Sequence, residues 1–197
     1  MTPKTQRTLV LASSSPYRRS LLARLGVPFE TASPLVDEER YRHLPPDEMV
    51  RVLSEAKAAE VAHRFPNAII IGSDQCATID GEILGKPGTE ERAIQQLERL
   101  AGRTHRLLTG LCVIDTRARL TRIYLDTHEM SLRPLRADQI VRYVIADQPL
   151  DCAGSYRLEA RGIGLFSRVR GDDPSAIEGL PLMRLSEILA ELGLDPI

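Results

Sequence analysis

The chain has 197 residues, of which 43% are hydrophobic and 27% charged, proportions of an ordinary globular protein that exclude a disordered or collagen-like chain. Lys and Arg (26) almost balance Asp and Glu (27), so the formal net charge of −1 gives no overall attraction to nucleic acid or to an anionic membrane. This length favours one compact unit, and we expect residues 1–197 to form a single domain.

The predicted elements alternate between strand and helix at first, and strands then cluster. Apolar runs such as residues 68–71 (AIII) predict buried strands, while Ser15 as N-cap, Pro16 as first helical residue and Gly26 after the end delimit the first helix. In chain order the predicted elements are strand 8–12, helix 17–25, strand 29–32, helix 47–64, strand 68–71 leading into a hairpin turned at 80–81, helix 89–101, strands 106–115 and 121–133, helix 137–145, strand 162–169 and helix 181–192. This order predicts an α/β fold with a mixed, twisted sheet and flanking helices.

A polar turn between the first strand and the first helix is the first candidate binding site. It covers residues 13–19 and reads SSSPYRR. A helix N-terminus presents unpaired N–H groups, and serine hydroxyls and arginines beside it suit a phosphate. The same residues are also typical of ordinary helix capping, so the turn alone leaves both interpretations open.

Other segments carry charged residues that could serve chemistry. Asp74 follows the buried strand 68–71, where open α/β sheets bind ligands, and is a candidate general base, metal ligand or simple turn cap. Lys86 lies in a GEILGKP segment that lacks the spacing and the Ser or Thr of a P-loop but still offers a positive charge to a phosphate. Lys57 in a helix and Glu38 in an acidic loop are equally compatible with solvated surface charges.

Seven ordered motifs run through the chain from about residue 9 to residue 192. They are LASSSPYR at 11–18, DE at 37–38, EAKA at 55–58, GSD at 72–74, GKP at 85–87, LDCAGSY at 150–156 and EGLPL at 178–182. Together they resemble the Maf family of nucleoside triphosphate pyrophosphatases. The resemblance implies an elongated, two-lobed α/β domain with a central cleft, similar to inosine triphosphate pyrophosphatases and often seen as a dimer, so a homodimer is an expected assembly.

The resemblance also implies an activity, a cofactor and a set of site residues. The activity is hydrolysis of a nucleoside triphosphate between its α and β phosphates, with a divalent cation, Mg or Mn. Asp74 would accept the proton of the attacking water, and Glu38 would take part in metal or water handling. The implied phosphate contacts are Ser13, Arg18, Lys57 and Lys86. A triphosphate carries about four negative charges, so donors from separate segments must converge on it.

Three positions point to a particular nucleotide. Family members associated with dTTP and UTP usually have Arg, Thr and Gln where this chain has Tyr17, Gln75 and Glu159, which resemble the subfamily that hydrolyses 7-methyl-GTP. N7-methylated guanine is cationic, so an aromatic face stabilises it by ~1–2 kcal/mol and a carboxylate accepts hydrogen bonds from its N1–H and 2-amino groups. That subfamily usually has Trp at position 17. The alternative is that Tyr17 packs on its own helix and Glu159 is a surface acid.

The sequence leaves two alternative functions open and also bears on partners and cellular location. Hydrolysis of dTTP, UTP or another modified nucleotide, and a non-catalytic nucleotide-binding regulator of cell division, stay open as alternatives. The charge balance disfavours a nucleic-acid partner, and no apolar run approaches the roughly 18 residues of a membrane span. The first 29 residues lack acidic side chains as transit peptides do, but their predicted strand and helix favour a structural role. Three scattered cysteines and the lack of a secretory signal predict a cytoplasmic protein.

Overall fold

The computed structural model describes residues 7–197, so residues 1–6 of the predicted domain lie outside the described part. The strands are β1 (Thr8–Leu11), β2 (Glu30–Thr31), β3 (Ala68–Ile79), β4 (Glu82–Leu84), β5 (Thr104–Asp115), β6 (Leu120–Leu132) and β7 (Phe166–Arg170). The α-helices are α1 (Pro16–Ala23), α2 (Pro46–Ala62), α3 (Glu90–Leu100), α4 (Ala137–Asp147) and α5 (Leu182–Glu191). Short 3-10 helices span Glu38–Tyr41, Ala153–Ser155, Arg161–Leu165 and Pro174–Glu178.

The seven strands form one mixed sheet. Six follow the order β2-β1-β3-β5-β6-β7, and β4 pairs with the end of β3 as a hairpin. The neighbours β2, β1 and β3 run parallel, whereas β5, β6 and β7 join in antiparallel pairs. The predicted mixed α/β fold is therefore confirmed, and the reason is the early strand–helix alternation followed by long strand hairpins.

Both faces of the sheet are covered near β1. Leu9 and Leu11 on one face pack with α1 and α5, while Val10 and Ala12 on the other face pack with α2. A strand buried on both faces reads as a continuous apolar run, which is why the short β1 segment was recognisable. A further apolar cluster gathers α3 and α4 around the far ends of β3, β5 and β6.

Helix α2 lies against β3 and β5 at two glycines. A Cβ added to Gly72 would be 2.2 Å from the carbonyl oxygen of Ser54, and one added to Gly110 would be 2.4 Å from that of Val50. Only hydrogen at these two positions lets the helix backbone approach the sheet so closely. The contact brings the fourth turn of α2, which carries Lys57, to the middle of β3.

Two turn predictions have different outcomes. The hairpin turn at Asp80 and Gly81 is confirmed, with both residues at positive φ, as a two-residue hairpin turn requires. The predicted strand 162–169 is wrong in its first half, which forms the 3-10 helix Arg161–Leu165 before β7 begins. The last residue of β6, Leu132, pairs with Phe166, so residues 162–165 have no neighbouring strand to pair with. Gly162 packs against the Arg157 backbone, where a Cβ would lie 2.2 Å from the carbonyl oxygen. No helix among residues 7–197 has both the length and the apolarity to cross a membrane.

Candidate active site

A single large cleft gathers the residues singled out in the sequence. Its volume is about 1090 Å³, and it is lined by the turn between β1 and α1, by α2, by the middle of β3, by the loop after β4 and by the segments 151–159 and 177–179. All nine predicted site residues line it: Ser13, Tyr17, Arg18, Glu38, Lys57, Asp74, Gln75, Lys86 and Glu159. The cleft therefore unites residues that are up to 146 positions apart, from Ser13 to Glu159.

A buried lysine between two carboxylates lies at the floor of the cleft. Lys57 Nζ is 2.6 Å from Asp74 Oδ1 and 2.7 Å from Glu38 Oε1. Lys57 and Asp74 are each only 8% exposed, and charges so far from water need partners. Lys57 therefore bridges two carboxylates that come from different segments of the chain.

Ser54, one turn before Lys57 on α2, fixes the backbone of the catalytic candidate. The Asp74 N–H donates to Ser54 Oγ at 2.9 Å, and the Ser54 hydroxyl donates to the Val50 carbonyl at 2.6 Å. This buried chain of hydrogen bonds sets the height of Asp74 relative to the helix that bears Lys57. Sequence reasoning missed Ser54, for which the only signal was a polar residue on the buried face of α2.

Arg18 is anchored to the segment that closes the other side of the cleft. Its Nε donates to the Gly179 carbonyl at 2.9 Å, and the Ser73 hydroxyl also lies within hydrogen-bond distance of that carbonyl. Burial lowers the pKa of the Arg18 guanidinium, and the charges of Asp74 and Glu38 act in the opposite direction. Arg18 therefore belongs to the same electrostatic group as the buried pair. Gly179 has a φ of 111°, which favours glycine, and its role was missed although its motif was noted.

The turn at the start of α1 caps the helix through Ser15 and brings Ser13 to the cleft. Ser15 accepts the Arg18 N–H at 3.4 Å, so the predicted N-cap is confirmed. Ser13 Oγ accepts the Ser15 N–H at 3.1 Å, and its own hydroxyl hydrogen is left for an acceptor in the cleft. Capping and phosphate binding are therefore compatible at this turn, because different serines serve each.

Tyr17 is tied to the loop that carries Glu159. Its hydroxyl donates to Asp151 Oδ1 at 3.3 Å. Burial raises the pKa of the Tyr17 phenol, and the nearby Arg157 side chain acts in the opposite direction. Glu159 is exposed at the rim. The exposed Glu159 is compatible with both the specificity prediction and the surface-acid alternative, so the roles of Tyr17 and Glu159 stay predictions. Asp151 and Arg157 were not singled out from the sequence.

Gln75 has most of its side chain committed to protein contacts. Its Nε2 lies 2.9 Å from Thr109 Oγ1, 2.8 Å from the Ala176 carbonyl and 3.1 Å from the Ile177 carbonyl. These contacts hold the segment that leads to Gly179. Only the amide oxygen of Gln75 remains for a ligand, so its predicted role in specificity rests on that atom and on this support.

Lys86 follows β4 on an exposed loop at the edge of the cleft. The loop is held from behind, since Gln96 Nε2 on α3 donates to the Gly85 carbonyl at 3.1 Å. Gln96 Oε1 accepts the Ser155 hydroxyl at 2.5 Å. Sequence reasoning missed Gln96, because nothing local distinguishes it from the neighbouring Gln95.

The carboxylates available to a metal are few. Among residues 7–197 no group of three or more His, Cys, Asp or Glu side chains could hold an ion. Asp74 and Glu38 converge, and each has one oxygen outside its ion pair with Lys57. Mg²⁺ is commonly held by one or two carboxylates together with substrate phosphates, so this donor set fits a cation that arrives with a triphosphate.

The class of protein is defined by a mixed α/β sheet with a large cleft that is lined by both basic and acidic side chains. A solved structure of a HAM1 protein from Coxiella burnetii has the same fold, with a TM-score of 0.51 at 14% identity, covering 94% of this chain and 100% of that one. The chain belongs to the Maf family, whose profile, described as Maf-like protein, matches residues 8–192. This confirms the resemblance drawn from the seven motifs.

Curated relatives cover almost the whole chain. A protein of Nitrosococcus oceani is 47% identical over 186 residues (94% of each chain), and one of Pseudomonas aeruginosa is 47% identical over 187 residues (95% of this chain and 97% of the relative). A third, of Alcanivorax borkumensis, is 44% identical and covers 99% of this chain and 98% of its own. All three are named 7-methyl-GTP pyrophosphatase.

Proposed function

We propose that this chain is an enzyme that hydrolyses 7-methyl-GTP to 7-methyl-GMP and pyrophosphate, and so clears methylated nucleotides released from RNA. The observation that carries the reaction type is the buried Lys57 between Asp74 and Glu38, inside a cleft that also receives Arg18 and Lys86. The names of relatives at 44–47% identity over nearly the full length support the substrate.

The phosphates would bind where cationic and hydroxyl donors converge. Arg18, with Nε held by Gly179, keeps its terminal nitrogens for phosphate oxygens, and the Ser13 hydroxyl supplies a further donor. Lys86 would meet the outer phosphates from the rim. Because these groups are fixed by the protein before substrate arrives, they stabilise the charge of the transition state without reorganising.

The bond change follows from the position of Asp74. Its Oδ1 holds Lys57, whereas Oδ2 accepts no hydrogen bond from residues 7–197 and is the atom that can face a water. The water oxygen would bond to the α-phosphorus while its proton passes to Asp74. The bond from the α-phosphorus to the bridging oxygen breaks, and its electron pair leaves with pyrophosphate. Lys57 holds the carboxylate in place throughout.

A divalent cation, Mg or Mn, forms part of the proposal. Glu38 would hold it through the oxygen outside its Lys57 ion pair, together with phosphate oxygens of the substrate, which leaves Asp74 Oδ2 to the attacking water. When bound, such a cation neutralises charge on the phosphates.

The base would be recognised at the end of the cleft formed by Tyr17 and the loop 151–159. The hydrogen bond from the Tyr17 hydroxyl to Asp151 orients the ring, whose face suits a cationic purine. The exposed Glu159 carboxylate would accept hydrogen bonds from the guanine edge, and the Gln75 amide oxygen would complete the contacts.

Pyrophosphate release from a panel of nucleotides, with Mg and with Mn, tests the proposal. We expect kcat/KM for 7-methyl-GTP to exceed that for GTP, dTTP and UTP by about tenfold or more, and Asp74→Asn to lower kcat by about 10²–10⁴-fold. Asp195→Asn, an exposed acid in the C-terminal tail, is the matched control and should keep wild-type rates. A preference for dTTP or UTP would refute the substrate; binding without turnover would favour a regulator of cell division instead.

The remaining expectations stay predictions and belong to this proposal. They are a single domain over residues 1–197, a homodimer, a cytoplasmic location, and no partnership with nucleic acid or membrane.

A further inference from the structure

Gln96 joins two neighbouring loops that both line the cleft. Its Nε2 donates to the Gly85 carbonyl at 3.1 Å, directly before Lys86, and its Oε1 accepts the Ser155 hydroxyl at 2.5 Å. The first loop carries the charge expected at the phosphates, and the second carries the residues expected at the base. One amide thus contacts both ends of the proposed substrate site.

The loop around Ser155 needs such support. Ser155 is fully buried with a φ of 63°, a left-handed conformation that costs a non-glycine residue ~1–2 kcal/mol. A second bond joins the same two loops, from the Gly88 N–H to the Leu150 carbonyl at 2.9 Å. The two loops are therefore linked both directly and through the side chain of Gln96.

Gln96 itself does not line the cleft that holds the nine site residues. It lies on α3, behind the Lys86 loop. Its amide hydrogen-bonds the Gly85 carbonyl and the Ser155 hydroxyl. We propose that Gln96 is a positioning residue that sets the distance between the phosphate-binding loop at Lys86 and the base-recognition loop at 150–159. The assignment of one loop to the phosphates and the other to the base rests on the proposed function. The connection between the loops rests only on the two hydrogen bonds of Gln96.

The two halves of the amide can be tested separately. Gln96→Glu keeps an acceptor for Ser155 but turns a carboxylate oxygen toward the Gly85 carbonyl, which releases the Lys86 loop. Ser155→Ala removes the other contact and leaves the bond to Gly85. Gln95→Ala is the matched control, since Gln95 is the exposed neighbour on the same helix.

Kinetics of the four proteins with 7-methyl-GTP and GTP distinguish the two contacts. Gln96→Glu should raise KM about tenfold for both nucleotides with kcat changed less than about threefold, because the phosphates are common to both. Ser155→Ala should lower the ratio of kcat/KM between 7-methyl-GTP and GTP by about threefold to tenfold. A loss of fold would instead lower the rate with both nucleotides alike in both variants and would overturn the assignment of separate ends.

Amide hydrogen exchange gives a readout that needs no activity. In Gln96→Ala we expect exchange of the segments 85–89 and 150–156 to speed up about tenfold, while the exchange of β3 stays at the wild-type rate. Exchange equal to that of Gln95→Ala in both segments would overturn the proposal. If the wild type releases no pyrophosphate, the proposed function fails, yet this exchange experiment still decides whether Gln96 links the loops.

Discussion

Gly72→Ala is the sharpest test of how the buried Lys57–Asp74 pair is positioned. The added Cβ would lie 2.2 Å from the Ser54 carbonyl oxygen and 2.9 Å from Ala58 Cβ. Carbon and other heavy atoms in contact normally stay about 3.5–4.0 Å apart, so α2 must retreat by ~1 Å or more. Overpacking of this kind costs ~1–3 kcal/mol.

The retreat should also weaken catalysis, because Lys57 moves with the helix while Asp74 stays on β3. A displacement of ~1 Å in a reacting group can lower the rate by ~10²-fold. We therefore expect a fall in kcat of that order, together with a loss of about 2 kcal/mol in the free energy of unfolding. With a urea m-value of about 2 kcal/mol/M, the unfolding midpoint would drop by about 1 M.

Urea unfolding and pyrophosphate release measured on the same preparation check both effects. Gly164→Ala is the matched control, since a Cβ there meets no atom within 4 Å. If Gly72→Ala unfolds at the urea concentration of Gly164→Ala and keeps its kcat, then the close approach of α2 does not set the geometry of the pair, and the reasoning is refuted.

Two further predictions concern specificity and pH. Tyr17→Trp should lower KM for 7-methyl-GTP about threefold, and Tyr17→Ala should raise it about tenfold without a comparable change for GTP, because an indole is the better face for a cation; equal changes for both nucleotides would contradict stacking on a cationic base. Burial lowers the pKa of His105, which is 2% exposed and bonded to the Tyr156 hydroxyl at 2.8 Å, to about 4. The unfolded chain binds a proton near pH 6.5 and the folded chain only near pH 4, so this histidine should destabilise the fold as pH falls between those values, by up to about 3 kcal/mol. The free energy of unfolding measured from pH 7 to pH 5 should accordingly fall less steeply in His105→Gln than in the wild type, and equal slopes would argue against a neutral buried ring.

Much of the site could be predicted because its residues sit in local patterns. The N-cap at Ser15, the hairpin at Asp80 and Gly81 and the acid after strand 68–71 are each set by neighbours a few positions away, and the structure has the elements where these signals place them. The order of motifs then indicated the family, and all nine proposed residues line one cleft.

The parts that could not be predicted depend on contacts between distant segments. Gln96 meets Ser155 across 59 positions, and Arg18 meets the Gly179 carbonyl across 161. The first half of the predicted strand 162–169 forms a 3-10 helix instead, because the partner strand β6 ends at Leu132, which pairs with Phe166. Periodicity carries no information on such contacts, since each is defined only after the chain has packed.

The two glycines under α2 divide the protein into parts with different freedom to change. At Gly72 and Gly110 the backbone of the sheet lies directly against the backbone of α2. This close approach sets the distance between Lys57 and Asp74, and a larger residue at either glycine would change it. The rim is formed by side chains such as Tyr17, in the first turn of α1, and Glu159, on an exposed loop, where an exchange disturbs less packing. Substitutions at the rim can therefore change which base is bound, while the residues that act on the phosphates keep their spacing.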